Sequence, residues 1–336
     1  MNRLKVVIAA VLLVSLAASA RGPDGALGAI REPNGGMPVA IQPADSFEVL
    51  LRREAQLALV RGQSTVPLKV DWTSTDSGRV RGRCKTGPDL APGLYGLEAQ
   101  WDGGTDRVGR AVYVARTYAA NYLFVSIGEM GLDGQDQGEA AIRLKKTIKA
   151  LNASPAAFAV LTGNQTAHGA AMEYQQLLAL LASCKKPTYL CAGPADGVRF
   201  DTYFSRSDYS FTWGQDGFLA CDTRDSLPAW DLDGQAGRLQ RWRWAIKPQR
   251  WSIGFSYQYA ERMGMRSQLA LFIDDPLDYF LVSRIAGEKE QQSGHVMWGT
   301  TPLIQAPSLT AGRLRLVQVK DEEVTFAEPA APGTSH

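Results

Sequence analysis

Three apolar segments of the sequence each end in a loop that carries a polar side chain suited to a binding site. The segments are LFVSIGEMG at 123–131, VLTGNQTAHG at 160–169 and PTYLCAGPAD at 187–196. Their polar residues are Glu129, Asn164 and Asp196. Loops at the carboxyl ends of parallel strands commonly form metal or phosphate sites. By themselves, a carboxylate and an amide supply at most a weak oxygen site for a hard cation.

Histidine, the commonest side-chain ligand of metals, is scarce in this chain. The sequence holds only His168, His295 and His336. His168 lies in the second of these loops, so it is a candidate member of a site there. A loop histidine that faces solvent is the favoured interpretation. Ser126, His168 and Asp196 could form a nucleophile triad, but no Gly-x-Ser-x-Gly elbow supports it.

The spacing of apolar residues predicts alternating strands and helices after residue 121. Strand-like runs at 122–127, 156–162 and 187–192 are separated by segments with helical spacing at 139–151 and 170–183. This β-α-β-α-β order predicts a parallel sheet with right-handed crossovers. The later patterns predict a hairpin at 209–223, a helix at 237–247, a strand at 251–256, a helix at 260–273 and a strand at 278–283.

Residues 41–117 carry a different, all-β pattern. The segment LYGLEAQW at 94–101 alternates, which places Tyr95, Leu97, Ala99 and Trp101 on one face. Further strands are expected at 64–72 and 110–115. These short strands predict a small sandwich of immunoglobulin type, with Tyr95 in the place of a corner tyrosine. The second domain is expected to run from 118 to 328.

The order of the later elements, with the segments LTGNQT and SFTWGQDGFLACDT, resembles the calcineurin-like metallophosphoesterases. The resemblance covers residues 122 to about 328. It implies a four-layer α/β/β/α sandwich with a two-metal site at the carboxyl ends of the strands. An immunoglobulin-like domain ahead of such a module is similar to the arrangement in purple acid phosphatases.

The resemblance also places the five site segments of the family in this chain. The family's Asp-x-His falls at Glu129-Met130-Gly131, its Gly-Asp at Gly163-Asn164, and its Gly-Asn-His-Asp at Gly193-Pro194-Ala195-Asp196. A lone histidine of the family falls near Tyr257, and its Gly-His-x-His falls near 283–286, where Arg284 stands. Most of the family's ligand types are therefore replaced.

These replacements predict a degenerate member of the family. A two-metal centre needs converging carboxylates and neutral imidazoles, and an amide at Asn164 leaves the repulsion between two dications uncompensated. We therefore expect a pseudoenzyme that acts in binding or assembly, with no catalytic residue, metal or other cofactor. The alternative is a phosphomonoesterase or phosphodiesterase whose rebuilt site uses Glu129, Asn164 and Asp196, together with His168, to bind Zn, Fe or Mn.

The first twenty residues have the features of a cleaved signal peptide. Arg3 and Lys5 precede an apolar run, and residues 18–20 read ASA. Cleavage predicts a secreted or periplasmic protein with no transmembrane segment, and an uncleaved N-terminal anchor is the alternative. Residues 21–40 are rich in Gly and Pro and predict a flexible mature N-terminus, and residues 329–336 predict a loose tail.

Charge and tryptophan content constrain the partners. Arg3 and Lys5 account for two of 36 basic residues, so cleavage leaves 34 against 34 acidic residues. This balance gives no reason to expect nucleic acid as a partner.

The segment RLQRWRWAIKPQRW at 238–251 has an apolar face at helical spacing, which favours a packed helix. Trp244 and Trp251 leave a protein or glycan partner open.

The four cysteines follow no metal-binding spacing. They are Cys84, Cys184, Cys191 and Cys221. Export would permit disulfides, and buried free thiols are the favoured interpretation.

Overall fold

The computed structural model describes residues 25–333, apart from 75–77, 225–233, 259–267, 269–270 and 285–295. The predicted signal peptide, most of the helix predicted at 260–273, and both His295 and His336 therefore lie outside the described residues. Among the described residues, no helix has the length and apolar character needed to cross a membrane.

The strands of the described chain fall into two groups. The first group is β1 (Ile30–Glu32), β2 (Val39–Ile41), β3 (Ser46–Leu51), β4 (Gln56–Arg61), β5 (Ser64–Pro67), β6 (Lys69–Ser74), β7 (Val80–Lys85), β8 (Gly93–Trp101) and β9 (Gly104–Val114). The second group is β10 (Tyr122–Gly128), β11 (Phe158–Thr162), β12 (Thr188–Cys191), β13 (Tyr209–Trp213), β14 (Asp216–Ala220), β15 (Ser252–Gln258), β16 (Tyr279–Arg284), β17 (Val296–Trp298), β18 (Thr301–Gln305), β19 (Arg315–Val319) and β20 (Val324–Phe326).

Helices occur only with the second group in the described residues. They are α1 (Glu139–Ala153), α2 (Ala171–Leu181), α3 (Phe200–Phe204) and α4 (Gln235–Ile246), with one 3-10 turn at Pro194–Asp196.

Strands β1 to β9 form a sandwich of two sheets. Their orders are β1-β3-β7-β6 and β2-β9-β8-β4-β5. The alternation of β8 buries Tyr95, Leu97 and Ala99 in the core between the sheets, with Trp101 partly buried beside them. The Tyr95 hydroxyl donates to the carbonyl of Ala91 at 2.7 Å, which anchors the turn that leads into β8.

The second half of the chain packs two mixed sheets face to face. Their orders are β12-β11-β10-β19-β20 and β13-β14-β15-β16-β18-β17. Strands β10, β11 and β12 run parallel, as do β14, β15, β16 and β18. Phe124 and Phe158 of the first sheet share a core with Phe218 and Phe255 of the second.

Helices cover the outer faces of both sheets. Leu144 of α1 and Leu177 of α2 pack on the first sheet, whereas Leu239 and Ile246 of α4 pack on the second. In the described residues the layers therefore run helix, sheet, sheet, helix. Because both faces of each sheet are covered, β11 is buried at every position, and its sequence is apolar from Phe158 to Leu161.

Two segments predicted to be loose are ordered parts of this fold. The flexible N-terminus predicted at 21–40 is wrong from residue 25 onward, because β1 pairs with β3 and β2 pairs with β9. The buried N–H of Ile30 also donates to the carboxylate of Asp106 at 2.7 Å. The tail predicted at 329–336 is held at Ala330, which exchanges two backbone hydrogen bonds with Leu314.

Hydrogen bonds and ring contacts join the sandwich to the second half of the chain. Arg110 of β9 donates to the carbonyls of Cys184 and Lys186 and to the hydroxyl of Thr188. The ring of Tyr113 stacks on Trp213 of β13, with centroids 5.5 Å apart. The predicted boundary at 117/118 therefore separates two cores that are bonded to one another.

We expect Arg110→Met to lower the free energy of unfolding by about 2–4 kcal/mol, because it leaves partly buried acceptors without a donor. The matched control is Arg116→Met, which changes an exposed arginine just beyond β9. Urea denaturation of both variants measures the difference. Equal losses in the two variants would show that the Arg110 contacts do not hold the halves together.

Candidate functional site

The loops after β10, β11 and β12 lie side by side at one edge of the first sheet. The Gly131 N–H donates to the carbonyl of Asn164, and the Gly163 N–H donates to the carbonyl of Cys191, both at 2.9 Å. This arrangement follows from the parallel pairing of the three strands, because the carboxyl ends of parallel strands share one edge of the sheet.

Three of the candidate site residues form one hydrogen-bonded chain. The Tyr257 hydroxyl donates to Oε1 of Glu129 at 3.0 Å and accepts from Nδ2 of Asn164 at 3.0 Å. Oδ1 of Asn164 accepts in turn from the N–H of Ala195 at 2.9 Å. Tyr257 is buried, whereas Glu129 and Asn164 are half-buried. A residue of the second sheet thus joins two loops of the first.

Glycines make room for this chain. A Cβ on Gly163 would lie 2.5 Å from the Cβ of Tyr257, and one on Gly193 would lie 2.4 Å from Oδ1 of Asn164. Glu129 itself has a φ of +39°, in a region that residues other than glycine rarely adopt. Its N–H donates to the carbonyl of Gly163 at 2.9 Å, which helps to hold that backbone conformation.

Asp196 belongs to the same loops but is fully buried. Its Oδ1 accepts from the N–H (2.8 Å) and the hydroxyl (2.7 Å) of Thr166. Its Oδ2 accepts from the N–H groups of Gly193 (2.8 Å) and Gln165 (3.1 Å). Burial raises the pKa of Asp196, and these hydrogen bonds oppose the rise without cancelling it. With two donors on each oxygen, the carboxylate fastens the loops together instead of offering free lone pairs.

His168 lies apart from this chain. The side chain of His168 is 78% exposed, and its Nδ1 lies 2.9 Å from Oε1 of the buried Glu173. Glu173 also accepts from the N–H of Ala170 at 2.9 Å, so His168 is tied to the start of α2. Arg284 ends β16, and its side chain lies outside the described part of the structure.

A second group of charged side chains lies at the ends of β13 and β14. Oδ1 of Asp208 accepts from the N–H of Asp222 (2.6 Å) and from Gln235 (2.9 Å), and its Oδ2 accepts from Arg238 (3.2 Å). Burial raises the pKa of Asp208 to about 6, and the charge of Asp222 adds to the rise. The only sequence signal for this group is an aspartate on each side of the predicted hairpin.

Arg224 connects this second group to the candidate site. It ion-pairs with Asp222 at 2.5 Å and with Asp201 at 2.8 Å, and its Nη1 donates to the carbonyl of Gly197 at 2.5 Å. Burial alone would lower the pKa of Arg224, but the two carboxylates raise it. Arg224 therefore remains a cation that fixes the loop directly after Asp196.

The residues at the strand ends do not fit a two-metal centre. One carboxylate, one amide and one phenol converge there, where the chemistry requires several carboxylates and imidazoles around ions about 3.5–4 Å apart. An oxygen of that carboxylate, on Glu129, already accepts from Tyr257. Across the described residues, no group of three or more His, Cys, Asp or Glu side chains could hold a metal ion.

The cysteines do not add metal ligands to the site. All four are buried free thiols. Burial raises the pKa of Cys84 to about 12 and the pKa values of Cys191 and Cys221 well above the ordinary range. Cys84, Cys191 and Cys221 therefore stay protonated, whereas the thiolate is the form that binds metals.

No family model matches this chain, and no curated protein does. Among solved structures, one match is 13% identical, covers 62% of this chain and 99% of its own, and has a TM-score of 0.38. An amylomaltase from Corynebacterium glutamicum is 13% identical over 39% of this chain and 21% of its own, with a TM-score of 0.21. A candidate alpha-galactosidase/melibiase from Bacteroides fragilis NCTC 9343 is 13% identical over 77% and 53%, with a TM-score of 0.20. Similarities this low assign neither a fold nor a function.

We expect Asp196→Asn to lower the free energy of unfolding by about 2–4 kcal/mol, because the new NH₂ group would face N–H or O–H donors. The exposed Asp136→Asn serves as the control. Urea denaturation should give the same loss with and without added zinc or manganese. A loss that appears only with metal would make Asp196 a ligand instead.

Asp208 should contribute a pH dependence of defined sign. Its pKa rises from 3.8 to about 6 on folding, so the folded protein binds the proton more tightly than the unfolded chain. Its contribution to stability is full below the unfolded pKa and is lost as the pH rises through the folded pKa. From about pH 3 to about pH 7, Asp208→Asn should therefore gain about 3 kcal/mol relative to the wild type, most of it between the two pKa values. Urea denaturation across this window measures the gain, and a constant difference would contradict the raised pKa.

Proposed function

We propose that this protein is an exported pseudoenzyme on a calcineurin-like metallophosphoesterase scaffold, acting in binding or assembly without hydrolysing phosphoesters. The chain from Glu129 through Tyr257 to Asn164 carries the proposal. It joins the positions where the family resemblance places metal ligands. The side chains at these positions use their hydrogen-bonding groups on one another. The order of helix, sheet, sheet and helix is consistent with the proposed scaffold.

The charge at these positions argues against a two-metal centre. Asn164 supplies a neutral amide where the family has an aspartate, and Tyr257 supplies a neutral phenol where it has an imidazole. Two dications held close together would repel one another without a bridging anion, and solvent screens this repulsion only partly in a half-buried site. Glu129 alone offers one negative charge, part of whose hydrogen-bonding capacity Tyr257 already uses.

The alternative of a rebuilt hydrolase also requires Asp196 and His168, and their contacts give it little support. Asp196 accepts hydrogen bonds on both oxygens and is inaccessible to solvent. His168 pairs with Glu173 at the start of α2. Neither side chain is placed to complete a metal site with Glu129 and Asn164. The group of Asp208 and Asp222 is also engaged, in hydrogen bonds to the backbone, Gln235 and arginines.

Export remains part of the proposal and rests on the sequence of residues 1–20 alone. The near balance of basic and acidic residues after cleavage continues to argue against nucleic acid as a partner. Of the two tryptophans considered for a surface site, Trp251 is half-buried and donates to the carbonyl of Lys320 at 3.0 Å. Trp244 is 58% exposed on α4.

Metal analysis and phosphatase assays of the full chain test the proposal. We expect well under one equivalent of Zn, Fe or Mn after dialysis, and no hydrolysis of aryl phosphomonoesters or diesters with added manganese. As a gain-of-function control, the double variant Asn164→Asp, Tyr257→His restores two ligand types of the family. It should retain more zinc than the wild type, because it adds a charged and an imidazole ligand beside Glu129.

Metal near two equivalents in the wild type, with hydrolysis that Glu129→Ala abolishes, would overturn the pseudoenzyme proposal. That outcome would establish the alternative hydrolase.

A further inference from the structure

A cleft between the sandwich and α4 has the volume of a small-molecule site. Its volume is about 350 Å³, within the usual range for ligand pockets. Residues of β2, β3 and β7 line it on the sandwich side, and Trp242, Ala245 and Ile246 line it on the helix side. Strand β13 also contributes to the lining. The residues of the Glu129 chain are not among the lining residues, so this cleft is separate from the site at the strand ends.

Contacts across the cleft hold its sides in place before any ligand binds. Arg206 ion-pairs with Glu32 at 2.5 Å, which connects the segment before β13 to β1. The Tyr209 hydroxyl lies 3.3 Å from the carbonyl of Gly36, ahead of β2. A preformed cleft has less conformational entropy to lose when it binds a ligand.

The charges that line the cleft are balanced. Arg206 is paired with Glu32, and Arg81 is paired with Glu48 at 2.7 Å. An anionic or a cationic ligand would have to break one of these pairs to find an opposite charge, and the partner left behind would lose its counter-ion. The charge balance therefore favours a neutral ligand that can both donate and accept hydrogen bonds.

The wall of the cleft also holds an unsatisfied donor. Nε of Arg206 is buried and has no hydrogen-bond partner among the described residues. Buried N–H groups are nearly always paired with protein or an ordered molecule. Because this atom is closed to solvent, a ligand in the cleft would contact the accessible part of the Arg206 side chain, which is 36% exposed, and not Nε itself. Ser210 and Thr212 of β13 add two hydroxyls to the lining.

Trp242 supplies an aromatic surface in the same cleft. The side chain is half-buried, and the guanidinium carbon of Arg206 lies 5.0 Å from the centroid of its ring. This contact covers one face of the ring and restrains its orientation, and Trp242 also packs on the core beneath α4, so a ligand meets the part of the side chain that lines the cleft. An aromatic surface next to mixed donors and acceptors suits a pyranose, which presents C–H groups on its faces and hydroxyls around its rim.

We propose that this cleft binds a neutral saccharide, with one sugar ring against the part of Trp242 that lines the cleft beside Arg206, and hydroxyls bonded to Arg206, Glu32 and the Arg81–Glu48 pair. The inference goes beyond the proposed binding role by naming a site and a ligand class. It does not depend on whether the strand ends hold metal.

Titration of the full chain with neutral oligosaccharides tests this inference. The probes are maltotriose, cellotriose, mannotriose and triacetylchitotriose. Binding of each probe is measured by calorimetry and by tryptophan fluorescence. At least one probe should bind, and Trp242→Ala should weaken its binding by about tenfold or more. Trp242→Phe should retain part of the affinity. The matched control is Trp244→Ala, because Trp244 lies on the same helix, is exposed and does not line the cleft.

Thermal unfolding of each variant separates lost binding from lost folding, and Trp242→Phe keeps the test decisive if Trp242→Ala does not fold. The inference is overturned if none of these probes binds the wild type. It is also overturned if Trp244→Ala abolishes binding while Trp242→Ala does not. Metal content and phosphatase activity are measured separately, so failure of this inference is distinguishable from failure of the proposed function.

Discussion

The packing of aromatic side chains around Phe158 holds the two sheets of the second half of the chain together. Phe158 stacks on Phe124 of its own sheet at 5.0 Å and meets Phe218 and Trp213 of the other sheet at 5.2 and 4.9 Å. Aromatic pairs of this kind add about 0.5–1.5 kcal/mol each beyond the area they bury. Because this core fixes how the sheets lie against one another, the end of β15 is adjacent to the ends of β10 and β11. Tyr257 can then reach both Glu129 and Asn164.

The same aromatic core extends into the sandwich. Trp213 contacts both Phe158 and Tyr113 of β9, so one indole ring joins the sheet core to the N-terminal sheets. The hydrogen bonds of Arg110 add a polar connection along the same boundary. The cleft that contains Trp242 therefore has walls from both halves of the chain, and their spacing is set by contacts that are independent of any ligand.

The strand ends and the cleft differ in where they lie on the fold and in how their polar groups are bonded. The strand ends are the place where an open α/β sheet usually carries its active site. Here the polar groups at that place bond mainly to one another, through Tyr257, Asn164 and the buried Asp196. The cleft lies elsewhere on the fold, and its lining combines two ion pairs, two hydroxyls and part of the Trp242 side chain. A fold does not determine a function, because function depends on the groups placed at each site.

The sequence by itself determined several of the elements and the loops that carry the candidate site. Continuous apolar runs at 122–127 and 156–162 became strands covered on both faces, and the helical spacing of 139–151 became α1, because these local patterns reflect which side chains must be buried. Glu129 and Asn164 lie next to each other because parallel strands end at a shared edge.

Only the tertiary structure decided that Asp196 faces inward, since its four donors come from another loop and from its own turn. The same holds for residues 25–40, whose Gly- and Pro-rich sequence predicts a loose segment until β3 and β9 supply strand partners from later in the chain. The cleft beside Trp242 was also beyond local prediction, because Glu32, Arg81, Arg206 and Trp242 come from four distant segments that only the packing of the two halves brings together.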